Sequence, residues 1–202
     1  VGQASVSRIA VFIYKLEVEM IDNPIERNNE ASVEVAGTGR FLYVHPRKEE
    51  SYWQPQPANG YASVHVAPHL VPMDRQFAVG TQTLPPGGVV RLHSHTDNEE
   101  VLHFISGTGK AELDGKEYRL EPGVTLFLGK LRKHTFINDG DADLHWVWFF
   151  VPSGLETFFR EIGRPRTPGE AAPEPFARPA DAAQIEARTV FTQLGQIGKR
   201  QE

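Results

Sequence analysis

Residues 87–107 read G-G-V-V-R-L-H-S-H-T-D-N-E-E-V-L-H-F-I-S-G. His93 and His95 are two apart, so an extended strand sends both imidazoles from one face. The polar Thr96-Asp97-Asn98 segment turns the chain, and Glu99-Glu100 opens the next apolar run. A carboxylate thereby returns beside the two rings. Two imidazole nitrogens and one carboxylate oxygen suit a divalent transition metal.

A fourth candidate lies downstream. Pro122-Gly123 forms a turn, V-T-L-F-L over 124–128 reads as a strand, and His134 and Asn138 follow. These two segments resemble the paired motifs of the cupin superfamily. The first runs Gly87, five residues, His93-x-His95, four residues, Glu100, six residues, Gly107, a count that selects Glu100 over Glu99. The second matches at Pro122-Gly123, His134 and Asn138. It departs at Gly129-Lys130-Leu131, where the family has Pro-x-Gly, which leaves open the shape of the loop before His134. The resemblance covers about residues 75–152. It implies a jelly-roll barrel holding one divalent transition metal (Fe, Mn, Ni, Co, Cu or Zn) on His93, His95, Glu100 and His134. In that reading Glu100 doubles as a catalytic base.

Composition narrows the alternatives. The chain has 202 residues, 40% of them hydrophobic, enough for one well-buried domain. A net charge of −5 and a pI near 5.9 argue against nucleic acid or an anionic membrane as partner. With no cysteine there is no disulfide, thiolate metal site or cysteine nucleophile. The apolar run Ile9–Tyr14 is too short to span a bilayer and lacks the flanks of a signal peptide, so a cytoplasmic protein is expected. Met20 reads as a natural start, with residues 1–19 as an upstream extension. Three regions are expected: a loose N-terminal extension over 1–32, a jelly-roll domain over 33–152, and a helix, proline-rich arm and frayed tail over 153–202.

The fold class reads as all-β, an antiparallel jelly-roll barrel with a short C-terminal helix and an extended arm. Phe41–Val44, Ser63–Val66 and Gln76–Leu84 are strand candidates. Leu113-Asp114-Gly115-Lys116 marks a tight hairpin turn, and Asn138-Asp139-Gly140-Asp141 is taken as another. Tyr52, Trp53 and Tyr61 stand among prolines, placed to line a pocket entrance, seal a dimer or cover a sheet edge. Ser153 and Glu156 fit a capping box for a helix whose stripe is Leu155, Phe158, Phe159 and Ile162, ended by Gly163. That stripe could close the pocket or cover the outside of a sheet, the latter being the commoner role. The proline-rich arm over 164–180 is free to lie on its own domain or on a partner, and Asp181 caps a short helix to about Arg188.

Strand alternation proposes pocket residues. Glu100 shares a face with Leu102 and Phe104 and opposes His103; His134 shares one with Phe136 and Asn138; Arg91 falls on the face of His93 and His95, as a rim residue or a partner for a carboxylate. Alternation does not say which face of 144–151 looks inward. Arg91, Phe104, Phe136, Trp146 and Trp148 are the substrate-pocket candidates, and His145 is a further one. Similarity to quercetin-dioxygenase-like single-domain cupins extends to P-S-G-L-E-T-F-F at 152–159. It implies a metal-dependent dioxygenase for a small aromatic or enolic substrate. A non-oxidative isomerase, lyase or decarboxylase and a non-catalytic binding protein are the alternatives. A homodimer, common among cupins, is expected through N-terminal strands that extend the partner's sheet.

Overall fold

A computed structural model describes residues 39–191; the expectations for residues 1–32, the Met20 start and the C-terminal tail fall outside them. The described residues form eleven strands and two short helices. In chain order these are β1 (Glu50–Trp53), β2 (Tyr61–Val66), β3 (Ala78–Leu84), β4 (Val89–His93), β5 (Glu99–Ser106), β6 (Gly109–Leu113), β7 (Lys116–Leu120), β8 (Thr125–Leu128), β9 (His134–Ile137), β10 (Leu144–Val151), α1 (Leu155–Ile162), β11 (Arg164–Pro165) and α2 (Ala182–Arg188). A seven-stranded sheet, ordered β11-β1-β2-β3-β10-β5-β8, faces a four-stranded sheet, β4-β9-β6-β7. Every pairing between these strands is antiparallel. The all-β expectation holds. No helix among the described residues is long and apolar enough to cross a membrane.

Period-two patterning fixes which faces meet. Along β10, Leu144, Trp146, Trp148 and Phe150 are buried, whereas His145, Val147 and Phe149 are only partly so. The tryptophan face therefore looks inward. Phe104, Phe136 and Trp146 form an aromatic cluster with centroids 5.6–6.2 Å apart, and Trp148 packs on Phe159 at 5.6 Å. Such rings bury large apolar areas in offset or edge geometry and make up the floor of the barrel. His145 lies on the other face, paired to the Thr83 hydroxyl at 2.8 Å, and is no pocket residue.

Three local expectations are corrected. Phe41–Val44 forms no strand; Leu42 makes a lone bridge, and the first strand is β1, where Tyr52 and Trp53 gain burial. The turn over 138–141 joins β9 to β10, which lie in different sheets, so it is a crossover rather than a hairpin. Asn138 holds that crossover: its amide donates to the Leu84 and Ala142 carbonyls at 2.8 Å each, and its Oδ1 accepts from Gly140 N–H. The capping box is absent as well, because α1 starts at Leu155 after Gly154, whose N–H donates to the Glu156 carboxylate at 2.7 Å. By contrast, the turn between β6 and β7 is as read, with Asp114 and Gly115 both at positive φ.

The proline-rich arm lies on its own domain. Arg164 and Pro165 pair with Trp53 and Tyr52 at the edge of the large sheet. Arg166 stacks on the Tyr61 ring at 3.7 Å, and the Trp53 indole donates to Glu170. Of the roles open to Tyr52, Trp53 and Tyr61, edge cover is the one seen.

Candidate metal centre

The three histidines reach one point by different routes. β4 carries an extra residue between Val90, which pairs with Phe136, and His93, which pairs with His134. Directly opposed residues share a face, so this bulge turns His93 inward beside His134. His95 lies beyond the strand in a single bridge to Phe191. The His93 and His134 ring centroids are 4.0 Å apart, and His95 is 4.9 and 5.2 Å from them.

Hydrogen bonding sets the tautomers. His93 Nδ1 lies 2.7 Å from the Arg91 carbonyl, His95 Nδ1 3.0 Å from that of Val190, and His134 Nδ1 2.8 Å from that of Arg132. A carbonyl only accepts, so each Nδ1 carries the proton and each Nε2 exposes a lone pair. Burial, then the neighbouring His134 and His95 rings, holds His93 well below the ordinary histidine range. Burial likewise lowers His134. Both rings are neutral at physiological pH.

The lone pairs converge without partners. One ligand atom from each of His93, His95 and His134 lies within 4.8 Å of the others. His95 Nε2 and His134 Nε2 are buried with no hydrogen bond. Glu100 Oε2 stands 3.7 Å from the first and 3.6 Å from the second, in a side chain that is 6% exposed. Orphaned buried acceptors carry a desolvation cost of about 1–3 kcal/mol each. Facing one another with no proton between them, they suit a cation. The three imidazoles with Glu100 thus fit a divalent metal, with each Nδ1–H held by a carbonyl in the usual outer support of a metal-bound histidine.

Leu131 closes the loop before His134. It takes φ 66°, the left-handed conformation, and its N–H donates to the His95 carbonyl at 2.7 Å. The third position of Gly129-Lys130-Leu131, where Pro-x-Gly has glycine, thus adopts the backbone glycine favours, at a steric cost of about 1–2 kcal/mol.

A pocket opens over this centre, enclosing about 700 Å³ including solvent at its mouth. Arg91 and Phe136 line it. Phe104, Trp146 and Trp148 do not; buried in the floor, they are corrected from lining to supporting roles. Arg91 donates to Glu186 at 2.9 Å, in the carboxylate-pairing role. His103 is exposed, bonded to Thr125, and outside the centre.

Sequence reasoning missed the other walls. Leu155, Phe158, Phe159 and Ile162 of α1 all line the pocket, so the stripe closes it rather than covering an outer sheet face. Phe191 sits 4.8 Å from the His93 ring, 5.3 Å from His95 and 4.4 Å from Phe158. Gln54 and Gln82 add amides. The one early signal was the α1 stripe; nothing local in the sequence marks Val190 or Phe191.

Residues 80–150 match the cupin domain family model. Fold and match together support the cupin superfamily. The chain is 31% identical over 64 residues to an oxalate-binding protein of Thermotoga maritima, covering 32% of this chain and 53% of that protein. It is 30% identical over 101 residues to the tetracenomycin polyketide synthase protein TcmJ of Streptomyces glaucescens, covering 50% of this chain and 64% of that protein. The chain thus spans between about half and two thirds of these relatives. Among solved structures, the polyketide cyclase RemF of Streptomyces resistomycificus superposes with a TM-score of 0.50 at 16% identity, over 56% of this chain and 80% of that one. That likeness speaks for the cupin fold alone.

Proposed function

We propose that this protein is a metal-dependent enzyme of the cupin superfamily that binds a small aromatic or enolic substrate through oxygen at a centre of His93, His95, Glu100 and His134. The reading is carried by the convergence of orphaned Nε2 lone pairs on Glu100, with every Nδ1–H already donated to a carbonyl. A bound divalent metal would act there as a Lewis acid, and a redox-active one would also support dioxygen chemistry. The chain's residues do the rest. Phe136, Phe158 and Phe191 present aromatic faces to a planar substrate and exclude water. Glu100, buried beside the imidazoles, is placed to take a hydroxyl proton from a substrate.

Dioxygenation is the reaction we favour, because the P-S-G-L-E-T-F-F segment resembles the quercetin-dioxygenase-like cupins and its helix forms a wall of the pocket. A non-oxidative ring closure or isomerisation is the second reading, favoured by the 30% identity to TcmJ, a protein named for polyketide synthesis. Oxygen uptake on a panel of aromatic diols and enols separates them. The dioxygenase consumes oxygen in step with product, whereas equal turnover under nitrogen transfers the assignment to the second reading. Glu100→Gln keeps an oxygen ligand but loses basicity. Metal binding should weaken without vanishing while turnover falls roughly 10²–10⁴-fold, the usual weight of a positioned general base. Unchanged turnover removes Glu100 from the base role.

A further inference from the structure

The pocket wall opposite the barrel floor carries an arrangement that the metal centre does not use. Arg91 of β4 and Arg178 of the arm both donate to a single oxygen, Glu186 Oε1, at 2.9 and 2.5 Å. All three residues line the pocket with His93, His95 and Glu100. Two guanidinium groups share one carboxylate, so the wall holds one positive charge in excess. Arg178 is the better shielded, its side chain 20% exposed against 48% for Arg91. Its Nε–H is buried with no acceptor. An N–H of a charged fork without an acceptor, in a side chain that lines the pocket, is a spare donor for a planar oxyanion, which guanidinium binds through paired N–H groups.

We propose that Arg178, with Arg91, forms an anion subsite that selects substrates bearing a carboxylate in addition to the oxygen atoms that reach the metal, and that Glu186 occupies this subsite when substrate is absent. This rests on the proposed function, since it names the substrate class of the same pocket. Glu186 then acts as an internal competitor. The substrate carboxylate takes over the N–H groups that Glu186 holds and also engages the open Nε–H. Substitutions at the two sides of the contact therefore act in opposite directions, which a purely structural ion pair does not do.

The test uses full-length protein loaded with Zn²⁺ and three probes, catechol, 3,4-dihydroxybenzoate and the neutral 3,4-dihydroxybenzamide, with affinities from calorimetry. Wild type should bind the benzoate about tenfold more tightly than the amide, the weight of one charge-assisted hydrogen-bond pair. Arg178→Gln should abolish that preference while leaving zinc content and catechol affinity unchanged. Glu186→Gln should enlarge it severalfold, because the competing charge is gone. Equal affinity of wild type for benzoate and amide overturns the subsite, as does a preference that survives Arg178→Gln or falls in Glu186→Gln. If Arg178→Gln fails to fold, Arg91→Gln and Glu186→Gln still give opposite signs. Failure of the wild type to take up zinc, or to bind catechol when zinc-loaded, strikes the metal-site reading instead and is thereby distinguished.

Discussion

The floor and the roof of the pocket are built on different principles. The floor and its ligands come from β4, β5, β9 and β10, where inward positions recur every second residue and aromatic rings pack edge to face. The roof comes from α1, α2 and the Val190–Phe191 segment, which reach the centre from the far end of the described chain. His95 hydrogen-bonds to Val190 across 95 positions. Sheet pairing holds the floor through continuous ladders. The roof is held by side chains: ion pairs from Arg91 and Arg178 to Glu186 and from Arg188 to Glu161, Phe158 against Phe191, and the buried Leu155, Phe159, Ile162, Ile185 and Val190. Ligand position is therefore a property of the half held by strand pairing, and access a property of the half held by side-chain packing and ion pairs.

The sharpest way to break this contrast is at the floor. His134→Ala removes one metal bond from a fixed site and should lower zinc affinity at least about a hundredfold, measured by competition with a chromogenic chelator. His103→Ala, on the outer face, should leave it unchanged. Full metal content in His134→Ala contradicts the proposed ligand set.

Acid acts next. His93 and His134 have lowered pKa values in the metal-free fold, so the unfolded chain takes up protons first as pH falls through the ordinary histidine value. Stability of the metal-free protein is then full above that value and declines below it, since the unfolded state binds more protons there. Urea midpoints that stay flat between pH 7.5 and 5 would sink this assignment. In the zinc-loaded protein the same protons compete with the metal, so zinc should dissociate as pH falls.

The roof should give smaller effects. Removing residues 190–202 takes away the Val190 carbonyl that holds His95 Nδ1–H, and zinc affinity should fall about tenfold, the low end for loss of an outer hydrogen-bond partner. Phe191→Ala keeps that carbonyl and should bind zinc normally while admitting bulkier catechols. A truncation as damaging as His134→Ala would show that the two halves are not distinct. The smallest change belongs to the loop between them. Leu131→Gly relieves the left-handed backbone at an exposed side chain but loosens the unfolded chain, a net gain below about 1 kcal/mol by urea titration. Leu131→Val should instead lose about 1 kcal/mol, because a β-branched residue resists that conformation.

The same division decides what could be read without coordinates. Spacing identified Glu100 over Glu99, and alternation placed Leu102, Phe104 and Phe136 inside, because both rules act between near neighbours. At β4 one inserted residue shifts the register against β9 and leaves no trace in composition, yet Arg91, His93 and His95 still meet at the pocket as alternation placed them. The tryptophans were candidates for the pocket because alternation gives a face but not a depth; burial at the floor depends on how the two sheets close. Val190 and Phe191 were illegible for a different reason. Their histidine partners, His93 and His95, are 95 or more residues away, and a carbonyl acceptor has no side-chain signature at all.

The two-residue strand β11 settles how this sheet meets its surroundings. It occupies the outer side of β1, and Pro165 has no N–H to offer a further strand. Chain-to-chain growth of the seven-stranded sheet is thus blocked along that margin by the protein's own arm. Among the described strands, β8 is left as the opposite margin. A dimer that extended this seven-stranded sheet by adding described strands would form there, and loss of the arm would open a second, unprotected line for aggregation.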